Sequence, residues 1–262
     1  MVKPLHVGMA AFHGITAATL VAKGLTANPD AFTGKAGFIN AYAPDSTNDP
    51  EQMMERWSLN WEILDPGMDI KPYPSCRATH ASINCVIFLL QKYNIKPEQI
   101  ASIRAGVNYT RPQILVYDHP STPLEAKFSM PYCLSVEANY LSVKIEHFKE
   151  NSLNDSAVRS LMPKVEMYVH PDMQPIPGVN PALTMVGAEV TIELLTGERY
   201  SHRVDHGKGH PSVPLTEAEF IGKFNDCTSA MPHDVRDRII ESILSIDQLH
   251  SLNDLNELLS LG

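Results

Sequence analysis

The stretch IKPYPSCRATH, residues 70–80, gathers Lys71, Arg77 and His80 at the entrance to an apolar segment, ASINCVIFLLQKY, that reads as a helix. A helix start carries partial positive charge and favours anions, so cations placed there cost stability. Such a cluster is sensible where something negative arrives. The free amides of a helix start bind carboxylate or phosphate. A lysine adds a mobile point charge, and an arginine adds a planar fork matched to a carboxylate. The pattern recurs at the N-terminus, where MVKPLHVGMAAFHG sets Lys3 and His6 at the start of another apolar segment. Both mouths carry Lys-Pro, and proline is comfortable at a helix start. If the two mouths face each other, they would hold a di- or tricarboxylate. His80 and His6, with His13 behind them, are the candidates for moving a proton. The ordinary alternative for each lysine is a solvated surface cation. For each histidine it is a hydrogen-bonded packing residue.

These mouths need elements to position them. A chain of 262 residues makes one large domain or two modest ones. Residues 1–95 read as helical: Ala, Leu and Val run through residues 4–23, and Gly24 is placed to end that helix. A short helix is expected at residues 51–58. Residues 96–206 change character. IASIRAGVNY, QILVYD, KVEMYVH, GAEVTIELLTG and ERYSHRVDH read as strands, the last two as a hairpin around Leu195-Thr196-Gly197-Glu198. KFSMPYCLSVEANYL and SAVRSLMPKV read as helices. Residues 207–262 return to helix, with Thr216 as a cap, an amphipathic HDVRDRIIESILSI and a short final helix that docks on the first zone. The fold class is therefore α+β: an all-helical domain (1–95 and 207–262) interrupted by an inserted α+β lid (96–206).

Composition narrows the function classes. A net charge of −9 argues against nucleic-acid binding, so any basic site is local and suits a small anion. The four cysteines, Cys76, Cys85, Cys133 and Cys227, form no CxxC pair, which leaves no zinc ribbon, thioredoxin motif or iron–sulfur signature. No metal and no cofactor are expected. The cysteine spacing suggests a reducing compartment. There is no signal peptide pattern and no uninterrupted run of 18 apolar residues, so a cytoplasmic protein without a membrane partner is expected. His202, His206 and His210 fall within nine residues. Strand spacing would put the first two on one face as a metal site, and a plain loop leaving the sheet is the competing reading. Cys76, at the helix start, reads as a reactive thiol or a packed structural cysteine. The apolar segment 4–23 is rich in small residues on several faces, as in a helix buried on all sides.

Four segments together resemble the MmgE/PrpD family. IKPYPSCRATHASIN matches its K-P-Y-P-x-C-R-x-T-H segment. KPLHVGMAAFHGITAATLVAKGLT and the following GKAGF match its K-x-L-H-x-G and G-K-x-G-F segments. EAKFSMPYCLSVEANY matches A-K-F-S-x-x-Y, and GHPSVPLTEAEFIGKF matches G-x-P-x-x-P-L-T-x-x-E-x-x-x-K-F. They occur in the family's order from residue 3 to residue 224. The resemblance implies a helical domain with an α+β lid, a cleft between them, and metal-independent lyase chemistry, either dehydration or decarboxylation of a di- or tricarboxylate. It carries substrate gripping onto Lys3 and Lys71, with Arg77 and His80 in the same matched segment and His6 beside Lys3. It covers only the C-terminal half to two-thirds of such enzymes. The relatives' earlier helices, with an acidic residue and histidines for proton transfer, have no counterpart here. A homodimer, or a partner chain supplying those helices, is therefore expected. The competing functions are a truncated, non-catalytic carboxylate-binding or dimerising protein, and an isomerase or epimerase on the same scaffold.

Overall fold

The computed structural model describes residues 2–42, 55, 59, 61, 63–174 and 187–260, the side chains of Lys3 and Pro4 excepted. The helix expected at 51–58 lies outside the described residues except at Glu55, which is helical. The chain divides into two compact units, Met1–Trp61 and Glu62–Gly262.

The first unit is built on helix α1 (Val2–Ala22) and a short α2 (Phe38–Tyr42). Gly24 ends α1 as expected, at φ +94°. Its N–H bonds to the Val21 carbonyl at 2.9 Å, and Leu25 N–H reaches the Leu20 carbonyl at 3.0 Å. That pair satisfies carbonyls the helix end would leave bare. Within the chain, α1 exposes its apolar residues all round, with Leu5 at 60%, Phe12 at 60% and Ile15 at 72%. Residues 5–22 are also long and apolar enough to cross a membrane, at mean hydropathy 1.4. This corrects the sequence reading: Gly, Thr and His interrupt the apolar run without lowering its mean enough.

The second unit is mixed α+β, with a small mixed sheet. Strands β1 (Ile100–Val107), β2 (Val165–Val169), β3 (Ala188–Leu194) and β4 (Arg199–Val204) lie in the order β2-β1-β3-β4. β1 and β2 are parallel, with Ile103 opposite Val165; the other pairs are antiparallel. The β3–β4 hairpin turns at Gly197, whose φ of +90° an L side chain resists. β3 alternates strictly, burying Ala188, Val190, Ile192 and Leu194.

Helix α3 (His80–Tyr93) packs on β3 and β4 and against α4 (Met130–Tyr140). It buries Ile83, Val86 and Leu89 completely. It ends at Asn94, a left-handed residue at φ 50°. Ser129 caps α4, its hydroxyl accepting the Tyr132 N–H at 3.1 Å. Helix α5 (Ser156–Leu161) packs against α4. The segment QILVYD is not a strand. Pro112 starts a single helical turn, Arg111–Ile114, and Asn108 caps the preceding backbone through Thr110. Helices α6 (Glu217–Cys227), α7 (His233–Leu244) and α8 (Asn253–Leu259) follow. Thr216 caps α6 in a reciprocal pair with Glu219. Leu255 and Leu258 of α8 bury against Ile239 of α7.

Candidate functional site

The mouth of α3 is held by two prolines and a distant loop. The approach bends at residues 72–75, where Pro72 and Pro74 fix φ, and Cys76 N–H anchors it on the Lys127 carbonyl at 2.8 Å. A tight turn, Arg77–Thr79, then leads into α3, with the Ser75 and Thr79 hydroxyls 2.8 Å apart. Facing this turn is the glycine loop that follows β4. Ile70 N–H donates to the Gly209 carbonyl at 2.8 Å. Gly209 sits at φ +88°, where an added Cβ would lie 1.8 Å from the Ile70 oxygen. A Cβ on Gly207 would meet an Arg77 guanidinium nitrogen at 2.8 Å. Both glycines are there because the backbones approach so closely.

A polar chain ties the two sides together. Lys208 N–H donates to Asn84 Oδ1 at 2.7 Å, and Asn84 Nδ2 donates to the Tyr73 hydroxyl at 2.8 Å. The Tyr73 ring stands edge-on to His80, 5.1 Å between centroids. Burial raises the Tyr73 hydroxyl pKa above its ordinary value, and the charge of Glu137 adds to that.

The cations are arranged around this frame. Arg77 pairs with Asp69 at 2.9 Å and donates to the Gly207 carbonyl at 3.2 Å, so it braces the loop. Lys71 is exposed and has no ion pair among the described residues. Arg111 is held below its usual pKa by burial, with Cys76 and Asp69 pulling it up and Arg77 pushing it down. The Lys208 ammonium pairs with Glu219 at 2.9 Å.

His80 is completely buried. Burial drives its pKa down to about 3; the Arg77 guanidinium and the Lys71 ammonium push the same way, and the Ser75 backbone and Asp69 resist weakly. Neither ring nitrogen completes a hydrogen bond among the described residues. At neutral pH this is an uncharged imidazole beside cations, one ring nitrogen an N–H donor and the other an acceptor, with no imidazolium proton to serve as a general acid.

The structure thus brings together Lys71, Arg77 and His80. His6 lies exposed on α1 in the first unit, and the Lys3 side chain lies outside the described residues. The histidine run at 202–210 separates: His202 stacks on Phe88 at 3.7 Å, while His206 stacks on His210 at 3.9 Å. Among the described residues no three metal-ligating side chains gather. Cys85 and Cys133 are packed thiols whose pKa burial lifts to about 12. Two open cavities, of about 550 and 600 Å³, are lined around His119 and Glu166 and around Tyr140 and His147. Neither includes Lys71, Arg77 or His80.

Sequence reasoning missed Arg111, Lys208 and the Tyr73–Asn84 link. Arg111 falls in Thr110-Arg111-Pro112, between two segments read as strands. Lys208 carried a usable signal, a cation set between two glycines in GKG.

The helix start framed by Lys-Pro-Tyr-Pro on one side and a glycine loop on the other falls for the most part within a known domain. The model of the MmgE/PrpD C-terminal domain matches residues 73–248, and the chain belongs to the MmgE/PrpD family. Among individual proteins it is similar to cis-aconitate decarboxylase of Homo sapiens, 27% identical over 266 residues, covering 98% of this chain and 52% of that protein. It is likewise similar to cis-aconitate decarboxylase of Mus musculus, 27% identical over 257 residues, covering 96% of this chain and 50% of that protein. The chain spans about half the length of the curated relatives it matches.

Proposed function

We propose that the protein is a metal-independent lyase-type enzyme that dehydrates or decarboxylates a di- or tricarboxylate. One observation carries the reading: Lys71 and Arg77, from one matched segment, both act on the buried His80 imidazole. Loss of CO2, or of a proton beside a carboxylate, leaves an electron pair on carbon that delocalises as an enolate. Fixed cations and polar groups at such a site stabilise that charge without reorganising. Lys71 grips a substrate carboxylate, and Arg77 and Arg111 set the local field. Incubating the purified chain with cis-aconitate or 2-methylcitrate, with product followed by proton NMR, tests this. Turnover that falls about 100-fold in Lys71→Ala supports it. No turnover, even with a chain supplying the relatives' earlier helices, refutes it.

The exposed apolar surface of α1 supports a second copy or a partner chain that covers it. Sedimentation of the pure chain separates the two, since a homodimer forms alone and a split enzyme does not. A second reading, carboxylate binding without turnover, has one observation in its favour. His80 is neutral at physiological pH, so it is no imidazolium acid, and a pKa of about 3 makes it a weak base. Stabilisation by citrate with no product formed would select it.

A further inference from the structure

Arg77 already holds a carboxylate. Its Nη2 donates to Asp69 Oδ1 at 2.9 Å and to the Gly207 carbonyl at 3.2 Å. The glycine loop also crowds Nη1, since a Cβ on Gly207 would lie 2.8 Å from it. The remaining edge of the guanidinium is unmet: Nε–H is enclosed and completes no hydrogen bond among the described residues. A carboxylate that uses an arginine fully takes two nitrogens, one for each oxygen. Asp69 reaches one nitrogen through one oxygen.

The two partners are unequally enclosed. The Arg77 side chain is 16% exposed and the Asp69 side chain 40%. The backbone under Asp69 is pinned on both sides. Ile70 N–H donates to the Gly209 carbonyl at 2.8 Å. Gly67, at φ +91°, lies where a Cβ would meet the Pro211 ring at 2.9 Å. Freeing Arg77 therefore needs only the rotation of one partly exposed side chain, and the loop at 207–210 can stay closed meanwhile.

We propose that Asp69 is a resident occupant of the Arg77 fork, an internal carboxylate that an incoming substrate carboxylate must displace. The inference rests on the carboxylate site proposed above and adds its regulation. Exchange breaks one contact on Nη2 and makes another, so it gains most where the newcomer also reaches Nε. A partly exposed ion pair is weak, so Asp69 lowers affinity without closing the site. The apparent dissociation constant rises by the inverse of the fraction of molecules whose fork stands vacant.

The ordinary role for Asp69 is a brace, and the two roles predict opposite signs. Losing a brace in Asp69→Asn loosens the mouth and weakens binding. Losing an occupant tightens it. Citrate binding to the full chain, by calorimetry at neutral pH and constant ionic strength, is expected to tighten about fivefold in Asp69→Asn. Removing any nearby negative charge also favours an anion, so the substitution is repeated in Arg77→Gln, whose amide can still donate to the Gly207 carbonyl. There the gain is expected to vanish, because no fork is left to vacate. Unchanged or weaker binding in Asp69→Asn, or a gain that survives in Arg77→Gln, overturns the proposal and leaves the carboxylate site standing. Citrate that binds neither wild type nor Asp69→Asn overturns both. A further measurement does not depend on Arg77→Gln folding. The Arg77 Nε–H resonance of isotope-labelled wild type is expected to shift as citrate saturates the protein. A resonance that stays in place at saturation overturns the proposal.

Discussion

Helices α1 and α3 begin with the same sequence idea, Lys-Pro followed by histidine and an apolar run, and end in opposite environments. α3 is enclosed by the sheet and α4 and buries Ile83, Val86 and Leu89 completely. α1 shows Leu5, Phe12 and Ile15 to solvent within its own chain. An apolar helix has no built-in partner; the surrounding elements decide whether its surface is a core or an interface. At α3 that enclosure sets a buried histidine beside a row of cations, and burial is what holds the His80 pKa down. At α1 the same ingredients await a covering surface.

The pH dependence of stability probes the enclosed mouth most strongly. His80 has a folded pKa of about 3 against an ordinary 6.5, so the unfolded chain takes up the proton first. Its contribution is fully present above pH 6.5 and is lost as pH falls toward 3, at up to about 1.4 kcal/mol per unit. Urea unfolding of wild type against His80→Asn should isolate this slope, because Glu137 contributes the opposite sign between pH 4.5 and 6.5. Parallel curves would mean that His80 is far wetter than described. Next in size, Leu89→Ala should cost about 2–5 kcal/mol by leaving a cavity in the core. Gly209→Ala should cost about 1–3 kcal/mol, since the left-handed backbone there resists a side chain and the Cβ meets Ile70. Its citrate affinity should fall as the loop lifts. The smallest effect is the mirror of Leu89: Ile15→Ala should change unfolding of the isolated chain by no more than about 0.5 kcal/mol. A loss near that of Leu89→Ala would show that α1 is already covered in solution, and the contrast between the two helices would collapse.

Local signals carried much of this. The caps at Gly24 and Thr216, the hairpin turn at Gly197 and the strands of β1, β3 and β4 are written in residues adjacent along the chain. The segment QILVYD misled because alternation is a weak signal over six residues, and Pro112 with Asn108 settled a turn there. Lys71, Arg77 and His80 were legible because one short segment holds all three. The arrangement around them was not, since Gly207 and Lys208 reach Arg77 and Asn84 across sequence separations of 130 and 124 residues. Burial was illegible for the same reason. Nothing in SVEAN announces that Glu137 is enclosed, although a lone acid four residues after Cys133 on an otherwise apolar face was a hint.

Those long separations also set an order of events during synthesis. The α3 mouth leaves the ribosome early, but the glycines that close it arrive only after the β3–β4 hairpin has been made. A nascent chain that stops short of Gly207 therefore has the helix and its cations without the loop that closes on them. Closure of this mouth is a property acquired late, when residue 209 locks onto residue 70.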